Sequence, residues 1–468
     1  MGIDQGTRIV ETPADVGRVV ADLRRTFATG RTRSARWRIA QLAGIERLVV
    51  EREDEIAQAL ADDLGRDAFE TWLLDGSSPR SEAAYARARV RRWMRRRLRP
   101  LSMNMMPAVG WVQHEPLGVV LIVVPWNAPV TLALNPLVAA VAAGNCAVIK
   151  PSELTPATSR LLARLVPEYL DSDAVVVVEG DGAVTQAVLA QGVDHCFFTG
   201  GTDIGRKVMA AAAPHLTPVT LELGGKSPVI VTADADLEVT ARRIAWAKLL
   251  NSGQVCMAPD YLLVERAVRD ELVDRLGSTF EEFRAEAPTP GVRIVNERHF
   301  DRIAGYLAST RATVALGGGA DRSSLTVEPT VLVDPEVDEP LMTEEIFGPI
   351  LPVLAIDTVD EAIAFVNARP KPLAAYVFTR SADTRRRVLA EVSAGGMVVN
   401  QLIYQYSAPQ LPFGGVGASG TGRYTGRWGF EELSHRKAVL VKPFRPDPRF
   451  AYPPYTDRAQ ALLRRLFR

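Results

Sequence analysis

Apolar and polar positions divide the chain into two regimes. Over the first hundred residues apolar side chains recur at helical spacing. Ile39, Leu42, Ile45, Leu48 and Val49 share one face, and Ile56, Leu60 and Leu64 continue the pattern. Residues 1 to about 100 are therefore predicted to be helical. From Gly110 the pattern changes to short, continuous apolar runs: Gly118–Val124, Ala147–Ile149, Ala174–Val178, Cys196–Phe198 and Val229–Val231. Helical stretches such as Thr158–Leu170 and Gly205–Ala213 lie between them. Strands alternating with helices predict a parallel sheet built from βαβ units. A second alternation of the same kind runs from about Leu221 to Asn400. Pro and Gly are dense from Pro409 to Gly429, which predicts an ordered loop, and Ala459–Arg468 after Pro453-Pro454 predicts a short basic amphipathic helix.

At 468 residues the chain exceeds what one hydrophobic core usually serves, so two sizeable domains with smaller appendages are expected. Lys plus Arg and Asp plus Glu both number 55, a formal net charge of zero, which speaks against a nucleic-acid partner. Arginine is nevertheless concentrated between Arg87 and Arg99. That run reads as a solvated helix face with acidic neighbours, against the alternative of an anion or RNA site. No apolar run approaches the roughly 20 residues that cross a bilayer, so no transmembrane segment is expected. The N-terminus carries Asp4 and lacks the basic-then-apolar layout of a secretion signal. Cys146, Cys196 and Cys256 have spacings that suit neither a disulfide framework nor a metal, so the expected setting is a reducing cytoplasm and no metal is expected.

Several segments carry chemistry. In Asn251-Ser252-Gly253-Gln254-Val255-Cys256 a cysteine follows small and polar residues, where its sulfur can face a cleft; as a lone cysteine it reads equally as a small buried hydrophobe. Cys146 and Cys196 sit inside apolar strand patterns and read as structural. In Leu221-Glu222-Leu223-Gly224-Gly225-Lys226 a carboxylate lies between two leucines, a setting that raises its pKa towards the range of a general base; the alternative is a surface pair with Lys226. Pro125-Trp126-Asn127 ends the strand 118–124, placing a side-chain amide at a strand's carboxyl end, where it serves either as a hydrogen-bond donor or as a turn former. Lys150-Pro151-Ser152-Glu153 follows a strand and can reach ribose hydroxyls. Thr199-Gly200-Gly201-Thr202-Asp203-Ile204-Gly205 follows another strand and opens a helix whose N-terminus can face a pyrophosphate, although Thr202 stands where a G-x-G-x-x-G loop has its middle glycine. Glu345 and Phe347, read as a strand, would share one face suited to a ribose and a flat ring; core packing explains Phe347 equally well. Pro412–Gly417 is a glycine loop without a titrating group and reads as structural.

In order and spacing these segments resemble the aldehyde dehydrogenase superfamily from about Asp63 to Pro443, with the greatest likeness to its class 3 branch of fatty and aromatic aldehyde enzymes. Asp67-Ala68-Phe69-Glu70, His215–Thr220 joined to the Glu222 motif, Ala258-Pro259-Asp260-Tyr261, Ser434-His435-Arg436 and Tyr452–Thr456 carry that likeness. The resemblance implies an α/β aldehyde dehydrogenase-like fold: two parallel-sheet α/β domains plus a small oligomerisation element. It places an NAD(P)-binding domain at 1–95 and 118–220, a catalytic domain at 221–402, the oligomerisation element at 96–117 and 403–445, and a tail at 446–468. It assigns Cys256 as nucleophile, Glu222 as base and Asn127 as oxyanion donor. Lys150 and Glu153 would hold the adenosine ribose, Gly200, Gly201 and Gly205 would lie under the pyrophosphate, Glu345 and Phe347 would hold the nicotinamide ribose and ring, and Trp126 completes the cofactor set. The cofactor implied is NAD, with NADP possible, the partners are a small-molecule aldehyde and a second copy in a homodimer, and the product is a carboxylic acid.

Three positions depart from the branch: Val255 where Thr is frequent, Ala128 where a bulky aromatic is common, and Gln401 where Asp is frequent. Two rival activities remain at this point. A CoA-acylating dehydrogenase resolves its thioester with a thiol and has little need of a water base, so Glu222 favours hydrolysis. A cysteine hydrolase would need one of the five histidines, none of which lies close in sequence to Cys256, and would leave the cofactor segments unexplained.

Overall fold

A computed structural model of the chain describes residues 13–285 and 292–467. The N-terminal layout read around Asp4 lies outside these residues. Residues 13–93 fold as expected into helices: α1 (Pro13–Ala28), α2 (Ala35–Glu51), α3 (Glu53–Leu64), α4 (Ala68–Thr71) and α5 (Ser77–Trp93), with a π-helical turn at Trp72–Gly76 before α5. Ser34 caps α2 by accepting from the Trp37 N–H, and Leu42, Ile45, Leu48 and Val49 bury its inner face. Gly65 ends α3 at φ 70°, and Asp67 starts α4 by accepting from the Glu70 N–H. The chain therefore turns sharply at Gly65–Asp67. Of the arginine run, Arg87 pairs with Glu46 and Arg97 with Glu431, and most of the rest is exposed, as on a solvated face.

Two sheets follow. The first has the order β17-β7-β6-β3-β4-β5, from β3 (Val119–Val123), β4 (Cys146–Lys150), β5 (Val175–Val177), β6 (His195–Gly200), β7 (Val219–Leu223) and the short β17 (Gly420–Thr421). Its five longer strands are parallel, joined by α6 (Pro129–Ala143), α7 (Pro156–Tyr169), α8 (Gly182–Leu189) and α9 (Thr202–Ala212). Helices cover both faces, which is why β3, β4 and β5 consist wholly of buried residues with no alternation. The chain leaves β3 towards β4 and β5, then returns to β6 on the other side of β3. Strand order thus reverses beside the carboxyl ends of β3 and β6, where an open α/β sheet leaves a crevice. β7 spans the boundary expected at 220/221, so the first sheet runs to Leu223 and takes β17 from the segment assigned to the oligomerisation element.

The second sheet has the order β10-β13-β14-β9-β8-β15-β16, from β8 (Pro228–Val231), β9 (Tyr261–Glu265), β10 (Thr313–Leu316), β13 (Thr330–Val333), β14 (Ile350–Ile356), β15 (Ala374–Phe378) and β16 (Gly396–Val399). All its pairings are parallel except the edge strand β10. A small hairpin, β11 (Ala320–Asp321) and β12 (Thr326–Val327), sits beside it. A separate antiparallel sheet joins β1 (Arg97–Arg99), β2 (Val109–Pro116) and β18 (Ser434–Val441). The basic tail forms the predicted helix at Asp457–Leu466.

The strand reading of Glu344–Phe347 does not hold. The segment is a loop, with Phe347 at φ 48°. Its backbone is held by distant side chains in place of a ladder: the Ile346 N–H donates to Asp260 Oδ2 at 3.0 Å, and Lys226 Nζ donates to the carbonyls of Leu341 and Glu344.

Candidate active site

Cys256, Glu222 and Asn127, which local sequence could only propose one at a time, all line one cavity of about 240 Å³ between the two sheets. Each reaches it by a different local device. Asn127 follows β3 at the carboxyl edge of the first sheet. Its Nδ2 donates to the Gln254 carbonyl at 3.1 Å, so the amide is tied to the segment that carries Cys256. Glu222 sits in β7 between the buried Leu221 and Leu223. Cys256 follows a turn in which Asn251, Ser252 and Gly253 all take left-handed backbone angles, φ 50°, 51° and 72°. Gly253 is required there, because a Cβ would lie 2.3 Å from the Gly348 carbonyl oxygen.

The electrostatics separate these groups from ordinary surface residues. Burial pushes the Cys256 thiol up to about 12, with the Glu345 and Glu222 carboxylates adding to the rise and the backbone N–H groups of Cys256 and Met257 opposing it. Glu222 has neither carboxylate oxygen hydrogen-bonded. Burial raises its pKa well above the usual carboxylate range, Arg423 opposes, and Glu432 adds to the rise. Lys226 is not its partner: Lys226 pairs with Asp260. The loop at Pro412–Gly417 passes close by, and a Cβ on Gly414 would lie 3.0 Å from Glu222 Oε1. Cys146 and Cys196 are buried in β4 and β6, each thiol pushed up to about 12 chiefly by burial. Among the described residues, no histidine lines the cavity.

The residues expected at a dinucleotide gather along the carboxyl edge of the first sheet and the loop facing it. Lys150 Nζ, at the end of β4, donates to Glu153 Oε2 at 3.0 Å and to the Gly180 carbonyl at 2.9 Å. Gly201 precedes α9, and a Cβ there would meet nothing within 4 Å, so the helix N-terminus is open to a ligand. Gly200 and Gly205 are crowded instead: a Cβ would meet the Phe198 ring or the Leu223 side chain, each at 2.6 Å. These two glycines serve close packing within the protein. Trp126 stands edge-on to Phe347 with ring centroids 5.5 Å apart, and its ring is tilted against His299 with centroids 5.6 Å apart. Glu345 is pushed up to about 8, first by burial and then by Asp260, and a Cβ on Gly224 would overlap its carboxylate. An open helix N-terminus, a cation at a strand end and an acidic group beside an aromatic cluster together fit a dinucleotide.

Sequence reasoning missed several residues here. Tyr406 and Tyr424 line the cavity, with Tyr424 Oη 3.5 Å from Tyr406 Oη and Asn135 Nδ2 donating to Tyr406 Oη at 2.8 Å. Arg423 and Glu432 flank Glu222, and Arg66 and Asp75 lie beneath Asn127. No periodicity marked them. Glu432 shares the Thr220 hydroxyl, which donates to it at 3.0 Å, and Thr220 lies two residues from Glu222 on the same face of β7.

A thiol, a buried carboxylate and an amide meeting in an apolar cavity between two parallel sheets, beside a dinucleotide-type edge, define an oxidoreductase-type site. The aldehyde dehydrogenase family model matches residues 6–439, and the chain belongs to that family. Aldehyde dehydrogenase family 3 member H1 of Arabidopsis thaliana is 43% identical over 97% of this chain and 95% of its own length. Aldehyde dehydrogenase family 3 member A2 of Mus musculus is 42% identical over 94% and 92%. Among solved structures, the substrate-bound state of Staphylococcus aureus AldH superposes with a TM-score of 0.93 at 38% identity, covering 97% of this chain and 99% of that one. An indole-3-acetaldehyde dehydrogenase in complex with NAD+ gives 0.85 at 30% identity, covering 92% and 89%. The class 3 resemblance and the α/β fold expected from sequence are thus both borne out, and the protein is an NAD(P)-dependent aldehyde dehydrogenase.

Proposed function

We propose that the protein oxidises apolar aldehydes, medium- or long-chain aliphatic or aromatic, to carboxylic acids with NAD(P)+ and water through a Cys256 thioester. The observation that carries this reading is the convergence of Cys256, Glu222 and Asn127 in one cavity whose other walls include Leu73, Leu74, Leu132, Trp246 and Leu250. Cys256 gives up its thiol proton to Glu222 or to water, and Sγ bonds to the carbonyl carbon as the C=O π bond opens onto oxygen. Asn127 Nδ2 and the Cys256 backbone N–H hold the oxyanion that forms. When bound, NAD(P)+ would supply the hydride acceptor needed for oxidation of the thiohemiacetal to the thioester. Glu222 takes a proton from water, the water oxygen bonds to the thioester carbon, and the C–S bond breaks to release the acid and Cys256. Lys150 and Glu153 would bind the adenosine ribose, Gly201 at the open helix N-terminus would lie at the pyrophosphate with Gly200 and Gly205 packing the turn beside it, and Trp126, Glu345 and Phe347 would flank the nicotinamide end. A panel of aldehydes assayed at the reduced-nicotinamide band without added CoA tests the reading. Turnover only with CoA would favour the acylating reaction, and no reduced cofactor with any aldehyde would refute oxidation.

Glu153 carries its charge beside the expected ribose position, and a 2′-phosphate would meet it. The expected result is a kcat/KM that favours NAD over NADP by about tenfold, corresponding to roughly 1.4 kcal/mol. Glu153→Gln should narrow that ratio, and equal efficiency with both cofactors in the unmodified enzyme would place the carboxylate away from the phosphate.

Ala128 lines the cavity next to Asn127, so its small side chain leaves width for bulky substrates. Ala128→Tyr is expected to lower kcat/KM for aromatic and branched aldehydes more than for short linear ones. A uniform loss across the panel would point to disturbance of Asn127.

The β1-β2-β18 sheet leaves Leu98, Val109, Leu440 and Val441 exposed, which supports its role as the homodimer element. Light scattering at twice the 51.0 kDa chain mass is the expected result, and a monomer would refute it. Three unpaired cysteines support work in a reducing cytoplasm, and among the described residues no helix is long and apolar enough to cross a membrane.

A further inference from the structure

Arg66 lies in the sharp break between α3 and α4, and its side chain is fully buried together with that of Asp75. One arm of the guanidinium, Nη1, donates to Asp75 Oδ2. The other oxygen of Asp75 accepts from the backbone N–H groups of Val130 and Thr131, both at 2.9 Å, and so fixes the start of α6 just after Asn127. The second arm, Nη2, donates to the Asn127 carbonyl and to Asn251 Oδ1, the latter at 2.7 Å. Asn251 Nδ2 in turn donates to the carbonyls of Asn127 and Gln254, both at 3.0 Å, and Asn127 Nδ2 donates to that same Gln254 carbonyl. Arg66 thus touches both the segment bearing Asn127 and the left-handed turn that leads to Cys256. Glu70, from α4, adds a second hold on that turn by accepting from the Asn251 N–H.

This arrangement differs from a buried ion pair that only satisfies itself. Nε of Arg66 has no partner, while both terminal nitrogens are spent on groups that lead into the cavity. A planar fork is what two diverging acceptors require; a lysine ammonium keeps the charge against Asp75 but lacks the fork. We infer that Arg66 is a positioning residue for the reaction, locking Asn127 to the Cys256 turn so that oxyanion donor and sulfur keep one geometry. The inference rests on the reading of Asn127 as the oxyanion donor.

Arg66→Lys and Arg66→Met in the full-length enzyme test it, with cofactor saturating. A displacement of about 1 Å between reacting groups lowers rates by roughly 10²-fold, and the burst of reduced cofactor in Arg66→Lys should slow by about that factor. Aldehyde KM, cofactor Kd and the rate of Cys256 alkylation by iodoacetamide should stay within about twofold, because no binding contact is removed. The discriminating measurement is a cycle with Asn127→Ala. If Arg66 acts by holding the amide, adding Arg66→Lys to Asn127→Ala should slow the burst by less than about threefold. Multiplicative losses in the double variant would overturn the inference, as would a full-rate Arg66→Lys or a loss of cofactor binding and alkylation in parallel with activity. Should Arg66→Met fail to fold, Arg66→Lys decides alone. A full-rate Asn127→Ala would sink the oxyanion reading itself, whereas a slow Asn127→Ala combined with multiplicative losses sinks only the role of Arg66.

Discussion

Cys256→Ala should abolish reduced-cofactor formation with every aldehyde, a loss of roughly 10⁴-fold or more, while cofactor affinity is retained. The sulfur forms the bond to the substrate carbon, so its removal takes away the reaction path itself. Neither of the other cysteines can substitute, since Cys146 and Cys196 are buried within β4 and β6. Wild-type turnover in this variant would refute the nucleophile assignment. The same thiol makes a pH prediction in the cofactor-free enzyme. With its pKa pushed up to about 12, chiefly by burial and then by Glu345 and Glu222, the thiolate is a small fraction at neutral pH and grows as pH rises. Alkylation of Cys256 by iodoacetamide should therefore accelerate from pH 7 to 9. Around pH 8 the gain should fall below tenfold per unit, because Glu345, pushed up to about 8, ionises there and holds the thiol protonated. Glu345→Gln should raise the alkylation rate at pH 9, where Glu345 is ionised, and restore the steeper slope. A rate independent of pH across this range would mean the thiol is already ionised.

The strands of the first sheet were legible because burial on both faces leaves short, uninterrupted β-branched runs such as Val119–Val123. The positions of Asn127 and Gly201 followed from the strands, since both stand where a strand ends. What local pattern could not reach was long-range polar contact. Arg66 meets Asn251 across 185 residues, and nothing near either residue marks the pair. Phe347 was misplaced for the same reason: its loop is pinned by Asp260, 86 residues before Ile346, so the backbone groups that would have joined a ladder are already engaged. The expected 220/221 boundary falls inside β7 on a different ground. The apolar run through Leu221 and Leu223 belongs to β7, and hydropathy does not report which sheet a strand joins. Glu222 was recognisable by its two leucines, but Arg423 comes from the Pro/Gly-dense stretch read as an ordered loop, and Glu432 lies just past it with no pattern to mark it.

Glu222→Gln should separate the two halves of the reaction. Hydride transfer needs Cys256, Asn127 and the cofactor, whereas release of the acid also needs an activated water. Glutamine keeps the size and hydrogen-bonding ability of the side chain but accepts no proton. Loss of a positioned base lowers a rate by about 10²–10⁴-fold, so steady-state turnover should fall by that factor. The thioester should still form, giving a burst of up to one reduced cofactor per active site before the slow phase. Burial raises the pKa of Glu222 well above the carboxylate range, so its ionised fraction grows with pH. Deacylation in the unmodified enzyme should accordingly speed up as pH rises, and the slow phase of Glu222→Gln should lack that gain. Glu222 and Cys256 line the same cavity, so the carboxylate can also take the thiol proton; the burst in the variant would then be slower, and slower still below pH 8. A small added thiol should partly restore turnover, because a thiolate attacks the thioester without a water base. An absent burst at high pH, with cofactor still bound, would show that Glu222 is needed before deacylation. Undiminished steady-state turnover in Glu222→Gln would remove it from the reaction altogether.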